Sequence, residues 1–484
     1  MSKIYNNDFL DASLPTNMDG LDYLFHPASI ALVGISRDPN SSINEMFLRP
    51  LLEFGFKGQL YPVNPRGGEI MGLKIYSGIE DIPDPVDYVI AIVPAQYSLK
   101  LVQECIAKGV KAITFYTAGF SETNEGIGMA LEEEITKVAH QGGIRIIGPN
   151  CMGIYCPECG LSFWPDFPKE SGNVACLCQS GGNSIHITWL GAPRGVRFSK
   201  VISYGNASDL DESDLIEYFT HDPDTDIIAA YIEGVKDGRR FIKVLGEAAR
   251  VKPVIMLKAG CSESGARAVA SHTGAMGGSN VTWEALCKQL GVIRVYSMEE
   301  LADMIVGFSF LPPLTGRNAA IVTVGGGVSV LAADECERYG LSVPPLQHKI
   351  KDQLLEFTPK VGNILKNPID SQIMFWDPGQ FIKTINIVSD WEEIDFIIIP
   401  LIGGVPSPSG YLMAYNLLAE TISEWNAPSI KPIAVVIPTG ITPEVSHSAF
   451  SAQQQFASAG IPVFPTVGRL ANSINKFIEY HNFK

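Results

Sequence analysis

The stretch ASHTGAMGGSN, Ala270 to Asn280, sets one of the chain's eight histidines, His272, among small residues broken by a single methionine. A histidine so flanked is either a passive loop residue or an imidazole that a ligand can approach, since small neighbours leave room for close contact and for movement. Residue type and spacing leave both readings open. Of the other histidines, His140 and His221 sit in polar segments and are expected to be solvated, while His186 follows the QSGG turn on a helix and is expected to pack.

Three further stretches carry residues suited to anions: GISRDPNSS from Gly34, QSGGNS from Gln179 and VGGGVS from Val324. Each offers glycines for close backbone approach and a serine hydroxyl just ahead of a predicted helix, where unpaired N–H groups and the helix dipole favour negative charge. Ordinary strand-to-helix turns use the same residues, so no single turn is specific. None is a full G-x-G-x-x-G, and GISRDP lacks the second and third glycines, which weighs against a dinucleotide site. Cys151, Cys156 and Cys159 have a C-x4-C-x2-C spacing with Cys176 and Cys178 following, a pattern able to ligate zinc or an iron–sulfur cluster. Against metal, Cys176 and Cys178 alternate with apolar residues as strand residues do, and no metal site is assigned.

The elements that must position these residues repeat: a short β-branched strand, a Gly/Ser turn, then a segment of helical period, the pattern of a doubly wound α/β fold. At 484 residues the chain should form about three domains. The first block contributes SIALVGIS, GQLYPVNP, DYVIAIVP, KAITFYTAGF and IRIIGPN as strands. CGLSFWPDFPKESG after it has the look of a linker. NVACLCQS, FSKVISYG, DIIAAYIEG, KPVIMLKAG and GVIRVYS build the second block, closed by the Pro-rich SFLPPLTGRN. NAAIVTVGGG, FIIIPLIGG, PIAVVIPTG and IPVFPTV build the third. The expected units are 1–160, 161–312 and 313–484. In such sheets ligands bind at the carboxyl ends of strands, so function is sought in the turns.

A hydrophobic share of 46% with 18% charged residues excludes a disordered chain, and the net charge of −16 weighs against nucleic acid or an anionic membrane as the main partner. The first residues lack a basic region followed by an apolar core, and apolar runs stop short of a membrane span, so a cytoplasmic location is expected. Nine cysteines in such a compartment are not expected to form a disulfide framework.

SIALVGISRDP, YPVNP, DYVIAIVPA, TAGFSE and IGPNCMG together resemble the CoA-binding domain of the succinyl-CoA synthetase superfamily. CQSGGNS, YIEG and LKAGCSESGARAVASHTGAMGGSN resemble the second domain of its ADP-forming acetyl-CoA synthetase branch, and IVTVGGGVSVLAADECERYGL with NPID is similar to its third, ligase-type domain. The resemblance covers nearly the whole chain in one order. It implies a Rossmann-like CoA-binding domain followed by two flavodoxin-like domains, in the α subunit of an ADP-forming (NDP-forming) acyl-CoA synthetase. This acid–thiol ligase interconverts acyl-CoA, ADP and phosphate with a carboxylic acid, CoA and ATP.

An enzyme joining thioester and phosphoanhydride chemistry at separate sites needs a phosphoryl carrier, and imidazole accepts a phosphoryl group reversibly. The family's phosphorylated histidine aligns with His272, and its histidine-orienting glutamate with Glu233 of YIEG. A carboxylate on the second ring nitrogen fixes the tautomer and stabilises the charge that develops. The resemblance also implies phosphate contacts from Gln179, Ser180, Gly181, Gly182, Gly274, Gly277 and Gly278. It lays CoA over Gly34, Ser36, Arg37 and Ser42, beside Asn64, Pro65, Arg66, Pro94 and Ala95. The thiol end is expected to reach Asn150 and Cys151, both in a lining role. Ile35 stands where the family usually has alanine, and its side chain is expected to narrow the CoA site. No P-loop GKS or GKT is present, and no further block is long enough for an ATP-grasp module. ATP, ADP and Mg2+ are therefore expected on a separate ATP-grasp β subunit, in a heteromer such as α2β2. Two other readings are a non-catalytic CoA-binding regulatory protein of the same family and an NAD-dependent oxidoreductase.

Overall fold

The computed structural model describes residues 20–272, 279–359, 362–371, 377–401, 417–418, 420–421, 431–438 and 443–484. Short β-branched runs become parallel strands with every residue buried, as in Ser29–Val33, Val174–Cys178 and Ala319–Thr323. Continuous apolar runs suit such strands because helices cover both faces of the sheet.

Three main sheets result. The first runs Gln59–Val63, Ser29–Val33, Tyr88–Ala91, Ala112–Phe115, Arg145–Ile147, all parallel. The second runs Ile293–Val295, Val254–Lys258, Ile227–Ile232, Val174–Cys178, Phe198–Ser203, with Gly153–Tyr155 as an antiparallel edge. The third runs Asn363–Leu365 (antiparallel), Ile369–Ser371, Ala319–Thr323, Phe396–Pro400, Ile433–Val436, Val463–Phe464. In each, the chain builds to one side of a founding strand and then crosses to the other. The founding strand and its second neighbour therefore bracket a crevice at their carboxyl ends.

One expectation changes and one element is added. The segment read as a linker is packed: Phe163 and Phe167 are buried, Phe167 meets Tyr155 edge to face at 4.9 Å, and Gly153–Tyr155 pairs with Phe198–Ser203 of the second sheet. A chain that folds back along a sheet edge buries its aromatics there, and proline with glycine mark only its bends. The hairpin Gly68–Ile70/Leu73–Ile75 is an addition, its strands being too short for a period-two signal.

The third sheet is fastened to the second by a buried charge cluster. Asp303 lies 2.7 Å from Arg194 Nη1 and 2.6 Å from Arg469 Nε, and Arg194 Nε donates to the Val463 carbonyl at 2.8 Å. Between the first two sheets the joint includes backbone bonds: the Asn206 N–H donates to Pro149 O at 3.0 Å and the Ser208 N–H to Gly148 O at 2.9 Å. Gly205 is required there, since a Cβ would stand 2.2 Å from Pro149 O.

Candidate active site

In the first sheet the crevice lies between Ser29–Val33 and Tyr88–Ala91. Gly34 turns out of the founding strand at φ +100°, and a Cβ there would meet the Ile92 carbonyl oxygen at 2.8 Å, so the turn stays open to a ligand only as glycine. Arg37, Ser42, Pro65, Arg66 and Pro94 are exposed around this edge, with Ser36 and Ala95 half-buried. Arg37 reaches over the Gly68 backbone. Asn64 is committed to the scaffold, its Nδ2 donating to Ile35 O at 2.8 Å and its Oδ1 accepting the Arg66 N–H at 3.0 Å. Asn44, which no motif singles out, is fully buried. It ties the turn together, donating to Ser36 O and Asp38 O and accepting the Ser36 N–H.

Two first-domain expectations are corrected. Ile35 does not narrow the edge; two residues past the end of strand Ser29–Val33, it points into the core with no exposure. Cys151 does not line the site. Its side chain is 3% exposed, its Sγ lies 3.7 Å from Phe115 O, and burial pushes its thiol up to about 12. Asn150 beside it does stand at the edge, in the left-handed region at φ +57°. Cys156, Cys159, Cys176 and Cys178 are buried as well, and among the described residues no cluster of His, Cys, Asp and Glu is arranged to hold a metal ion.

In the second sheet the crevice falls between Val174–Cys178 and Ile227–Ile232, and the residues ending those strands are Gln179 and Glu233. Both are buried, at 5% and 4% exposure. Gln179 Oε1 accepts the N–H groups of Glu233 at 2.8 Å and Gly234 at 3.1 Å, and the Tyr231 hydroxyl donates to Glu233 Oε1 at 3.2 Å. Gln179 thus braces the Glu233 turn through its Oε1. Ser180 is the N-cap, its hydroxyl oxygen accepting the Asn183 N–H at 3.3 Å. That fixes the start of helix Gly181–Gly191, whose Gly181 and Gly182 N–H groups take no part in the cap bond. Lys258, ending the neighbouring strand, donates to Glu233 O at 2.7 Å; burial pulls its ammonium below the ordinary value, although Cys261 and Glu233 oppose the shift. Beside Tyr231 and Lys258 opens a cleft of about 630 Å³, reaching Arg294 and Tyr296.

His272 lies in helix Glu263–His272 rather than in a loop: ESGARAVAS has the helix-forming composition that the small-residue pattern masked. Among the helix's described side chains Val269 is the buried one, and most others are exposed or half-buried, so little packing ties the helix down. Its backbone lies against the Ser121–Thr123 turn of the first domain. Gly274, Gly277 and Gly278 lie outside the described residues. His140 is exposed but paired, its Nε2 2.7 Å from Asp209, and His186 is half-buried on its helix.

Comparison with known proteins decides the family. The succinyl-CoA ligase-like flavodoxin domain model matches residues 171–308 and the CoA-binding domain model residues 28–157. The α subunit of ADP-forming acetate–CoA ligase II of Pyrococcus furiosus is 37% identical over 446 residues, 92% of this chain and 94% of the relative. The chain belongs to the α subunits of the ADP-forming acetate–CoA ligases. The α subunit of ligase I from the same organism is 34% identical over 96% of this chain and 98% of its own length. A ligase of this kind from Methanocaldococcus jannaschii is 39% identical, with the match covering 72% of this chain but 49% of that longer protein. The α subunit also superposes on the solved structure of Ca. Korarchaeum cryptofilum dinucleotide-forming acetyl-coenzyme A synthetase 1 in complex with phosphate and ADP. The TM-score is 0.80 at 32% identity, covering 96% of this chain and 97% of that one. Among the described residues of the ligase subunit no helix is long and apolar enough to cross a membrane.

Near Glu233 the ligase α subunit buries a second carboxyl. Glu212 opens helix Glu212–His221 at 1% exposure, and among the described residues its Oε1 and the Tyr204 hydroxyl have no hydrogen-bond partner. Burial, with Asp211 adding, pushes Glu212 up to about 7 against the opposing pull of Lys236. The folded chain then holds this proton more tightly than the unfolded chain, so stability falls as pH rises from about 4.5 to about 7. Glu212→Gln should flatten that slope by roughly 3 kcal/mol, read as the difference in denaturation free energy between pH 5 and pH 8. A slope equal to the parent's would contradict the assignment.

Proposed function

We propose that the chain is the α subunit of an ADP-forming acyl-CoA synthetase that works through phosphorylated His272, with Glu233 holding the imidazole. The observation that carries the reading is the second sheet's crevice. There a buried glutamate is braced by Gln179, at the end of the strand beside the one that leads into helix Glu263–His272. In the acid-activating direction the γ-phosphoryl of ATP passes to an imidazole nitrogen of His272 and ADP leaves. The phosphoryl then moves to the acid's carboxylate, freeing the imidazole. The CoA thiolate attacks the acyl phosphate, forming the thioester and releasing phosphate. The Gly181 and Gly182 N–H groups at the start of the helix favour the transferring charge. Gly274, Gly277 and Gly278 are assigned to the same phosphoryl group.

CoA is a substrate of the first domain, over Gly34, Ser36, Arg37 and Ser42 and beside Pro65, Arg66, Pro94, Ala95 and Asn150. Arg37 and Arg66 supply charge for its phosphates. The units 1–160, 161–312 and 313–484 divide the work as CoA binding, phosphohistidine chemistry and ligase-type closure. Nucleotide and Mg2+ belong to a separate ATP-grasp β subunit in an α2β2 assembly in the cytoplasm. Full-length matches to proteins named α subunits, beside a match to half of a longer single chain, support a missing partner. Calorimetry on the chain alone should therefore detect CoA and no ATP. Tight ATP binding without a partner would overturn the division of labour.

A further inference from the structure

Among the side chains that join the two domains assigned by the ligase reading to CoA and to the phosphoryl group, Asn206 makes several bonds at once. Asn206 follows strand Phe198–Ser203 of the second sheet and is 4% exposed. Its Nδ2 lies 2.6 Å from Glu122 Oε2, 2.9 Å from Glu132 Oε2 and 3.2 Å from Ser121 Oγ, all in the first domain. Its Oδ1 faces Asn150 Nδ2 at 3.5 Å, and its own N–H holds Pro149 O. Two carboxylates thus share one amide nitrogen, whose two protons suffice for one each.

Both carboxylates are at work in the loop. Glu122 Oε1 accepts the N–H groups of Gly119 and Phe120. Glu132 Oε2 accepts the Ser121 hydroxyl at 2.7 Å and the Ser121 N–H at 3.2 Å. Burial pushes the Glu122 carboxyl up, but the bonds from Asn206, Gly119 and Phe120 outweigh it and hold it below the usual range. Among the described residues, Glu122 and Glu132 meet Asn206 directly and the Lys236 ammonium donates to Ala207 O beside it; Asp209, three residues on, is turned to Arg145 and His140. The loop fixed in this way, 117–123, carries the Ser121–Thr123 turn on which the helix ending at His272 lies.

We infer that Asn206 is a positioning residue. By donating to Glu122 and Glu132 it docks the first domain's 117–123 loop onto the second domain, and so sets where CoA meets the helix that carries His272. Its consequence for turnover rests on the ligase reading, whereas the docking contact rests on the hydrogen bonds alone. Asn206→Asp replaces the shared donor by a third carboxylate, and like charges at this spacing repel in a dry site. The variant should regain a donor as pH falls and one of the three carboxyls takes a proton. The double variant Asn206→Asp/Glu122→Gln should regain it at any pH: the glutamine keeps Oε1 on the Gly119 and Phe120 N–H groups and turns its Nε2 toward the introduced carboxylate.

The test uses the α subunit co-expressed with its partner. At about pH 8 Asn206→Asp should lose roughly 10²-fold in kcat/KM for CoA, while phosphorylation from ATP stays within about twofold, since that step needs no CoA. The loss should shrink as pH falls toward about 5.5, and the double variant should recover most of it at pH 8. Hydrogen exchange of the 117–123 amides should follow the same order: fast in the single variant, protected in parent and double. A double variant no better than the single, or a single variant matching the parent in both readouts, would overturn the inference. If the parent shows no CoA-dependent turnover, the ligase assignment falls, and the exchange experiment still decides the contact.

Discussion

His272→Ala should abolish ATP formation from acyl-CoA, ADP and phosphate, and with it the acid-labile phosphoryl label on the chain. Alanine at the end of helix Glu263–His272 has the highest helix propensity, so the fold has no reason to change. Stability should stay within about 0.5 kcal/mol of the parent, read as the free energy of denaturation. The chemistry is another matter: without the imidazole nothing carries the phosphoryl group from one half-reaction to the other. A covalent nucleophile removed from a group that acts as a unit costs at least roughly 10³-fold. CoA binding, measured by calorimetry, should survive unchanged because its contacts lie on the first sheet. A variant that still makes ATP near the parent's rate would remove His272 from the mechanism.

Glu233→Gln should lower the rate of His272 phosphorylation by roughly 10²-fold or more, the scale of a general-base or orienting group. The substitution is close to a pure test of charge. Glutamine keeps an Oε1 to accept the Tyr231 hydroxyl, and the backbone N–H remains on Gln179 Oε1, so the turn keeps its shape. Gln179→Leu makes the contrast. It strips the acceptor from two buried N–H groups, at about 1–3 kcal/mol for each, and should depress the melting temperature along with activity. If Glu233→Gln phosphorylates at the parent rate with an unchanged melting temperature, the carboxylate does not hold the imidazole.

The founding strands and their turns were legible because a β-branched run ending in Gly/Ser leaves little alternative in a doubly wound chain. Glu233 was legible as the residue just after the strand in DIIAAYIEG. What that strand could not convey was its partner: Gln179 lies 54 residues earlier, and its amide braces Glu233 only because the two strands are neighbours. The helical state of His272 was hidden because alanine, serine and glycine serve turns and helices alike. The burial of Cys151 was not legible because a residue in the turn after a strand, here four past Ile147, points either to solvent or back into the core, and only packing against Phe115 decides which. Asn206 and Asn44 carried no signal at all, since an asparagine in a turn is ordinary and its worth lies in acceptors brought from elsewhere in the chain.

The central claim is a phosphoryl group on one histidine, and peptide mapping tests it most directly. The chain and its partner subunit, incubated with ATP and Mg2+ and digested under alkaline conditions, should yield a single phosphorylated peptide containing His272, and the label should discharge when acid and CoA are added together. A phosphoryl group on another residue, or none on the chain while the complex turns over, would contradict the account.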